Sequence, residues 1–195
     1  MQFNSSHAKY LTQNPINKYI VANFFKEVKV ITTGLEYNTI LDVGCGEGNL
    51  LLFLKSNNDN RTYYAIDNDE KELNLAKINI PFCNLSVGSI YALPFSDDSK
   101  DLVICTEVLE HIECPEKAIE ELHRVTSRYV IISVPREPLW RILNMLRFHY
   151  WNELGNTPGH VNHWSNNSFI RLMSQWFNIL EVRSPYPWTL LLCEK

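Results

Sequence analysis

The sequence predicts an α/β fold: a doubly wound, mostly parallel sheet that ends in a C-terminal antiparallel hairpin. Three observations predict it. Between residues 38 and 135, short apolar runs alternate with stretches of helical periodicity, which is the pattern of βαβ units. The run "NTILDV" is almost continuously apolar, as in a strand covered on both faces. Beyond residue 164 the order changes to helix, strand, strand, so the last two strands pair as a hairpin.

The elements follow in chain order. Asn14–Pro15 reads as a helix start, with Asn as N-cap and Pro in the first turn. Ile16, Tyr19, Ile20, Asn23, Phe24, Val28 and Ile31 then form a helical stripe that stops near Gly34, so 1–35 is an N-terminal helical extension. The first strand is "NTILDV", and residues 50–55 are helical. "RTYYAID" is the second strand, followed by a helix over 70–79. "CNLSVG" and "DLVICT" are the third and fourth strands, and Pro115 opens the helix "PEKAIEELHRV". "RYVIISVP" is the fifth strand. Residues 136–164, rich in aromatics and arginine, interrupt the pattern. "SNNSFIRLMSQW" is the last helix, and "NILEVRS" with "TLLLCEK" makes the hairpin.

Composition narrows the class. At 195 residues, 45% of them apolar, the chain suits a single domain over 1–195. A net charge of −4 provides no global basic field, so nucleic acid is not favoured as a partner. The five cysteines are odd in number and form no C-x-x-C pair, which suits reduced thiols in a cytoplasmic protein. No signal peptide and no membrane-spanning run is visible.

The turn Gly44-Cys45-Gly46-Glu47-Gly48 follows the first strand and opens a helix. Glycine permits positive φ and close backbone approach to a ligand. A dinucleotide loop reads G-x-G-x-x-G, but here the third glycine comes one place early and Asn49 takes its position. Asp42 and Glu47 put carboxylates where a pyrophosphate needs none. Asp67 ends the second strand about twenty residues on, where an acid accepts from ribose hydroxyls. The ligand therefore carries a ribose and a positive charge but no pyrophosphate. S-adenosylmethionine satisfies each condition.

The motifs "LDVGCGEG", "AIDND", "GSIYALPF" and "DLVICTEVLEHI", in this order and spacing, resemble the class I S-adenosylmethionine-dependent methyltransferases over about residues 36–135. The resemblance implies a Rossmann-like sheet and assigns roles. Gly44, Cys45 and Gly46 approach the methionine part of the cofactor, and Asp42 helps hold its ammonium. Asp67 takes the ribose, with Asn68 beside the adenine. Ser89 and Ile90 border the adenine, Ser89 standing where many relatives carry Asp. Thr106 lines the methionine part with its backbone.

Methyl transfer from a sulfonium needs mainly proximity and alignment, plus a base where the acceptor must lose a proton. Just past the fourth strand stand Glu107, Glu110 and His111, and His111 is the candidate base. The expected acceptor is a small molecule methylated at oxygen. Two other readings stay open. E-x-x-E-H followed by His160 and His163 is similar to small-RNA 2′-O-methyltransferases, which implies a metal-dependent RNA 3′-end enzyme with Glu107, Glu110, His111 and His160 as ligands. The other is a non-catalytic module that binds the cofactor and regulates a partner.

Residues 136–164 are read as a substrate lid. Leu139, Trp140, Ile142, Leu143, Met145, Leu146 and Phe148 form an apolar surface framed by Arg136, Arg141 and Arg147. Such a surface covers an acceptor, lies on a membrane through 137–151, or packs another subunit. "LTQNPINKYI" and this insertion are similar to the O-methyltransferases of ubiquinone biosynthesis, although Thr12 and Gln13 stand where those enzymes carry an arginine.

Overall fold

A computed structural model of the chain describes residues 15–57, 59–146, 150 and 153–195. Asn14, Thr12, Gln13, Arg147 and Phe148, singled out above, lie outside the described residues.

The chain runs α1 (Pro15–Thr33), β1 (Thr39–Val43), α2 (Asn49–Leu54), β2 (Thr62–Asp67), α3 (Glu70–Asn79), β3 (Cys83–Val87) and β4 (Lys100–Thr106). A 3₁₀ turn over Leu109–His111 follows, then α4 (Pro115–Val125), β5 (Thr126–Pro135), α5 (Leu139–Leu146), α6 (Asn166–Met173), β6 (Asn178–Arg183) and β7 (Trp188–Glu194). The seven strands form one sheet in the order β3-β2-β1-β4-β5-β7-β6. β1 to β5 pair in parallel, whereas β7 is antiparallel to both β5 and β6. The predicted hairpin is therefore present, with β7 inserted beside β5 and β6 left at the edge.

The period of two along each strand sorts the core. Leu41 and Val43 of β1 join α4 and α6 on one face, in a cluster with Ile119, Leu122, Phe169 and Met173. Ile40, Tyr63, Ala65 and Leu102 face the other way, onto Phe24, Leu51, Leu54 and Leu73 of α1, α2 and α3. Both faces of the central strands are thus dry, which explains their near-continuous apolar runs. Helix ends match local chemistry. Asp69 caps α3 by accepting from the Lys71 N–H at 2.8 Å, and Ser165 with Ser168 forms a capping box at α6. Pro115 sits in the first turn of α4, and Ala118, Ile119, Leu122 and Val125 form its buried stripe.

The α1 stripe is corrected at its start. Phe24, Val28 and Ile31 are buried, but Ile16 and Tyr19 are 61% and 72% exposed. Phe24 is the first buried position, where α1 reaches Trp188 of β7 at a ring distance of 4.9 Å.

Strand order reverses between β1 and β4. In an open α/β sheet the crevice at that reversal, past the carboxyl ends of the strands, receives ligands. The glycine turn after β1 and the Thr106–His111 segment after β4 both lie there.

Candidate active site

The glycine turn folds back over the end of β2. The N–H groups of Gly44 and Cys45 both donate to the Ile66 carbonyl, at 2.8 and 3.1 Å. Gly44 has φ +80°, and a Cβ there would meet Val108 Cγ2 at 2.3 Å. Its lack of a side chain therefore lets the turn pack against the segment after β4.

Asp67 joins the two loops. One carboxylate oxygen accepts from the Gly46 N–H at 2.8 Å, and the other accepts from the Asp69 N–H at 2.9 Å. A carboxylate offers about four acceptor sites, so each oxygen keeps capacity for a ligand hydroxyl. Asn68 is exposed beside it. Ser89 is exposed, and its Oγ accepts from the Tyr91 N–H at 3.2 Å, which holds the loop after β3. Ile90 is buried and packs with Ile66 and Leu93.

Asp42 lies beneath the turn at 2% exposure. Burial, together with the nearby Asp67 carboxylate, lifts its carboxyl to about 7. Burial first, then Asp42 and Asp67, pushes the Cys45 thiol far above its ordinary range, so Cys45 acts as a turn residue and not as a nucleophile.

Past β4, Thr106 is half-buried and pairs with Ser133 of β5. Glu107 adopts φ +60°, and its Oε1 accepts from Ser133 Oγ at 3.4 Å. His111 Nδ1 lies 3.1 Å from the Gly159 carbonyl. That oxygen only accepts, so Nδ1 carries a proton and donates it to the carbonyl. Its ring meets the His160 ring edge-on at 4.8 Å, and His160 stacks on Trp140 at 5.8 Å.

Residues 159–162 thus lie against the E-H turn. Val161 and Asn162 donate their N–H groups to the Glu110 carbonyl at 2.8 and 3.2 Å, and Asn162 Nδ2 donates to the Leu109 and Ile112 carbonyls. Of the four acids and histidines proposed as metal ligands, Glu110, His111 and His160 come together within 4.8 Å, without Glu107. His163 is held elsewhere by Asn156, at 2.7 Å. The sequence does not flag Ser133 or Asn162 as parts of this neighbourhood, and it places Trp140 only on the apolar surface of 136–164. Only the non-local pairing of β4 with β5, and of residues 159–162 with the turn, brings them in.

A sheet of this order, with an acid-flanked glycine turn at its reversal point, is a methyltransferase-like α/β fold. Residues 41–132 of the chain, just under half of it, match the family model of a methyltransferase domain. An uncharacterized methyltransferase of Schizosaccharomyces pombe is 38% identical over 99 residues, which are 45% of this chain and 36% of that protein. The match thus spans about a third of the relative's length. A structure of a SAM-dependent methyltransferase from Aquifex aeolicus superposes with a TM-score of 0.72 over 99% of both chains, at 21% identity. Magnesium protoporphyrin IX methyltransferase from Synechocystis PCC 6803, solved with bound SAH, gives a TM-score of 0.70 over 94% of this chain and 89% of its own, at 20% identity.

Proposed function

We propose that the chain binds S-adenosylmethionine in the crevice between β1 and β4 and passes its methyl group to an oxygen of a small-molecule acceptor. One observation carries this reading: the glycine turn is flanked by two carboxylates, Asp42 below it and Asp67 beside it. That field suits an ammonium at one end and a ribose at the other, and it opposes a pyrophosphate. The bound SAH of the Synechocystis neighbour supports the choice of ligand.

Gly44 and Gly46 let the backbone reach the methionine part, and Asp67 takes the ribose hydroxyls. Asn68, Ser89 and Ile90 border the adenine, and Thr106 lines the methionine part. His111 is the acceptor-side base. Its Nδ1–H donates to the Gly159 carbonyl, which orients the ring at the end of β4. The lid over 136–164 covers the acceptor.

Asp67→Ala removes two charge-assisted hydrogen bonds to ribose, each worth roughly 1.5–3 kcal/mol. Calorimetry with S-adenosylhomocysteine should show at least a hundredfold weaker binding, roughly 3 kcal/mol. Unchanged affinity would sink the ribose assignment.

A further inference from the structure

Glu107 is the first residue past β4, and its backbone is left-handed at φ +60°. Residues with long side chains rarely adopt that region, and the strain persists only where the surroundings impose it. Here they do. The Glu107 N–H donates to the Ser133 carbonyl at 3.3 Å. The next residue, Val108, packs so closely on the glycine turn that a Cβ at Gly44 would meet its Cγ2 at 2.3 Å. A glycine at 107 would make the same turn without strain. A long acid kept at such a position points to a role for its side chain.

Pairing within the sheet sets where that side chain lies. Asp42 of β1 pairs with Ile104 of β4, so Thr106 and Glu107 extend past it to the level of the glycine turn. Ser133, fully buried on β5 and paired with Thr106, donates its Oγ–H to Glu107 Oε1 at 3.4 Å. Glu107 therefore leans toward β5, whereas Asp67 ends β2, on the opposite side of the reversal between β1 and β4. The crevice has a carboxylate on each flank.

We propose that Glu107 sets a preference for the methyl-loaded cofactor over the spent one. The inference rests on the S-adenosylmethionine reading above. S-adenosylmethionine and S-adenosylhomocysteine share the ammonium and the ribose, so Asp42 and Asp67 hold both through the same groups. The two molecules differ at sulfur. When the methyl group leaves, the electrons of its bond to sulfur stay on sulfur, and the positive charge there is lost. With the ribose at Asp67 and the methionine part along Thr106, the sulfonium faces the β4 flank. A carboxylate there attracts the donor and not the product. For unit charges about 6 Å apart, in a medium between protein surface and water, that attraction is worth roughly tenfold in affinity. It acts on the bound ground state, so it helps fresh donor displace product and does not speed the transfer itself.

The test is calorimetry of the full chain with S-adenosylmethionine and, separately, with S-adenosylhomocysteine. In Glu107→Gln, affinity for S-adenosylmethionine should fall roughly tenfold relative to wild type. Affinity for S-adenosylhomocysteine should stay within about twofold, which also certifies the fold of the variant. Glu36→Gln, an exposed acid ahead of β1 at the far end of the strands, should leave the ratio of the two affinities unchanged. An unchanged ratio in Glu107→Gln, or an equal loss for both ligands, would overturn the proposal. If the wild type binds neither ligand, the function proposed above fails, and this inference with it.

Discussion

Asp42 and Gly44 each cost the folded chain some stability. Asp42 is raised from its ordinary carboxyl range to about 7, chiefly by burial and then by Asp67. Between those two values the folded chain holds a proton that the unfolded chain has lost. Stability from this group is therefore lost as pH rises through that window, with an upper bound on the order of 4 kcal/mol. A ligand ammonium offsets the loss by favouring the charged form. Binding of S-adenosylhomocysteine should accordingly strengthen between about pH 6 and about pH 8. Asp42→Asn should abolish that dependence, weaken binding, and raise the melting temperature of the empty protein at the upper pH. Flat binding across the range would remove Asp42 from the ammonium site. At Gly44 the left-handed φ of +80° and the contact with Val108 act together. Gly44→Ala should destabilise the fold by roughly 1–3 kcal/mol in denaturant titration. Adding Val108→Ala should recover only the contact portion. Full recovery would mean that the backbone conformation carries no strain.

Among the elements, α5 departs most from its periodicity. Its buried residue is Asn144, whose Nδ2 donates to the Gly155 carbonyl at 2.9 Å and to Thr157 Oγ1 at 3.1 Å. Ile142 and Leu146 remain 48% and 71% exposed, while Trp140 and Leu143 are half-buried. An amphipathic pattern alone predicts apolar side inward. Here the inner neighbour is a loop with carbonyls to satisfy, so the polar residue turns in, while Ile142 and Leu146 face out. No described helix is long and apolar enough to cross a membrane, but this face suits contact with one. In flotation assays with anionic lipid vesicles, the chain should co-migrate with the vesicles. Ile142→Glu combined with Leu146→Glu should weaken that association more than tenfold, since burying each side chain contributes about 1.5–3 kcal/mol. Undiminished flotation of the double variant would exclude α5 as the contact.

At the scale of the whole molecule, the cofactor crevice joins loops from separate parts of one sheet, so ligand binding and global stability are linked. S-adenosylhomocysteine at about a hundred times its dissociation constant adds roughly 2.7 kcal/mol. For a chain of this size the melting temperature should rise by about 5–10 °C. NAD at the same concentration should leave it unchanged; a comparable rise would point back to a dinucleotide. The sequence by itself determined the sheet, the glycine turn and the acid that ends β2. These depend on local patterns: period two in strands, glycine where the turn needs positive φ, and an acid where a strand ends. Only the tertiary structure decided which of His160 and His163 turns inward, that Glu107 stands apart from Glu110, His111 and His160, and that Ile142 and Leu146 of α5 stay exposed. The reason is physical: each of those outcomes depends on which residues distant in the chain become neighbours. His160 packs under Trp140 while His163 is bound by Asn156, a difference that two histidines three residues apart do not reveal on their own.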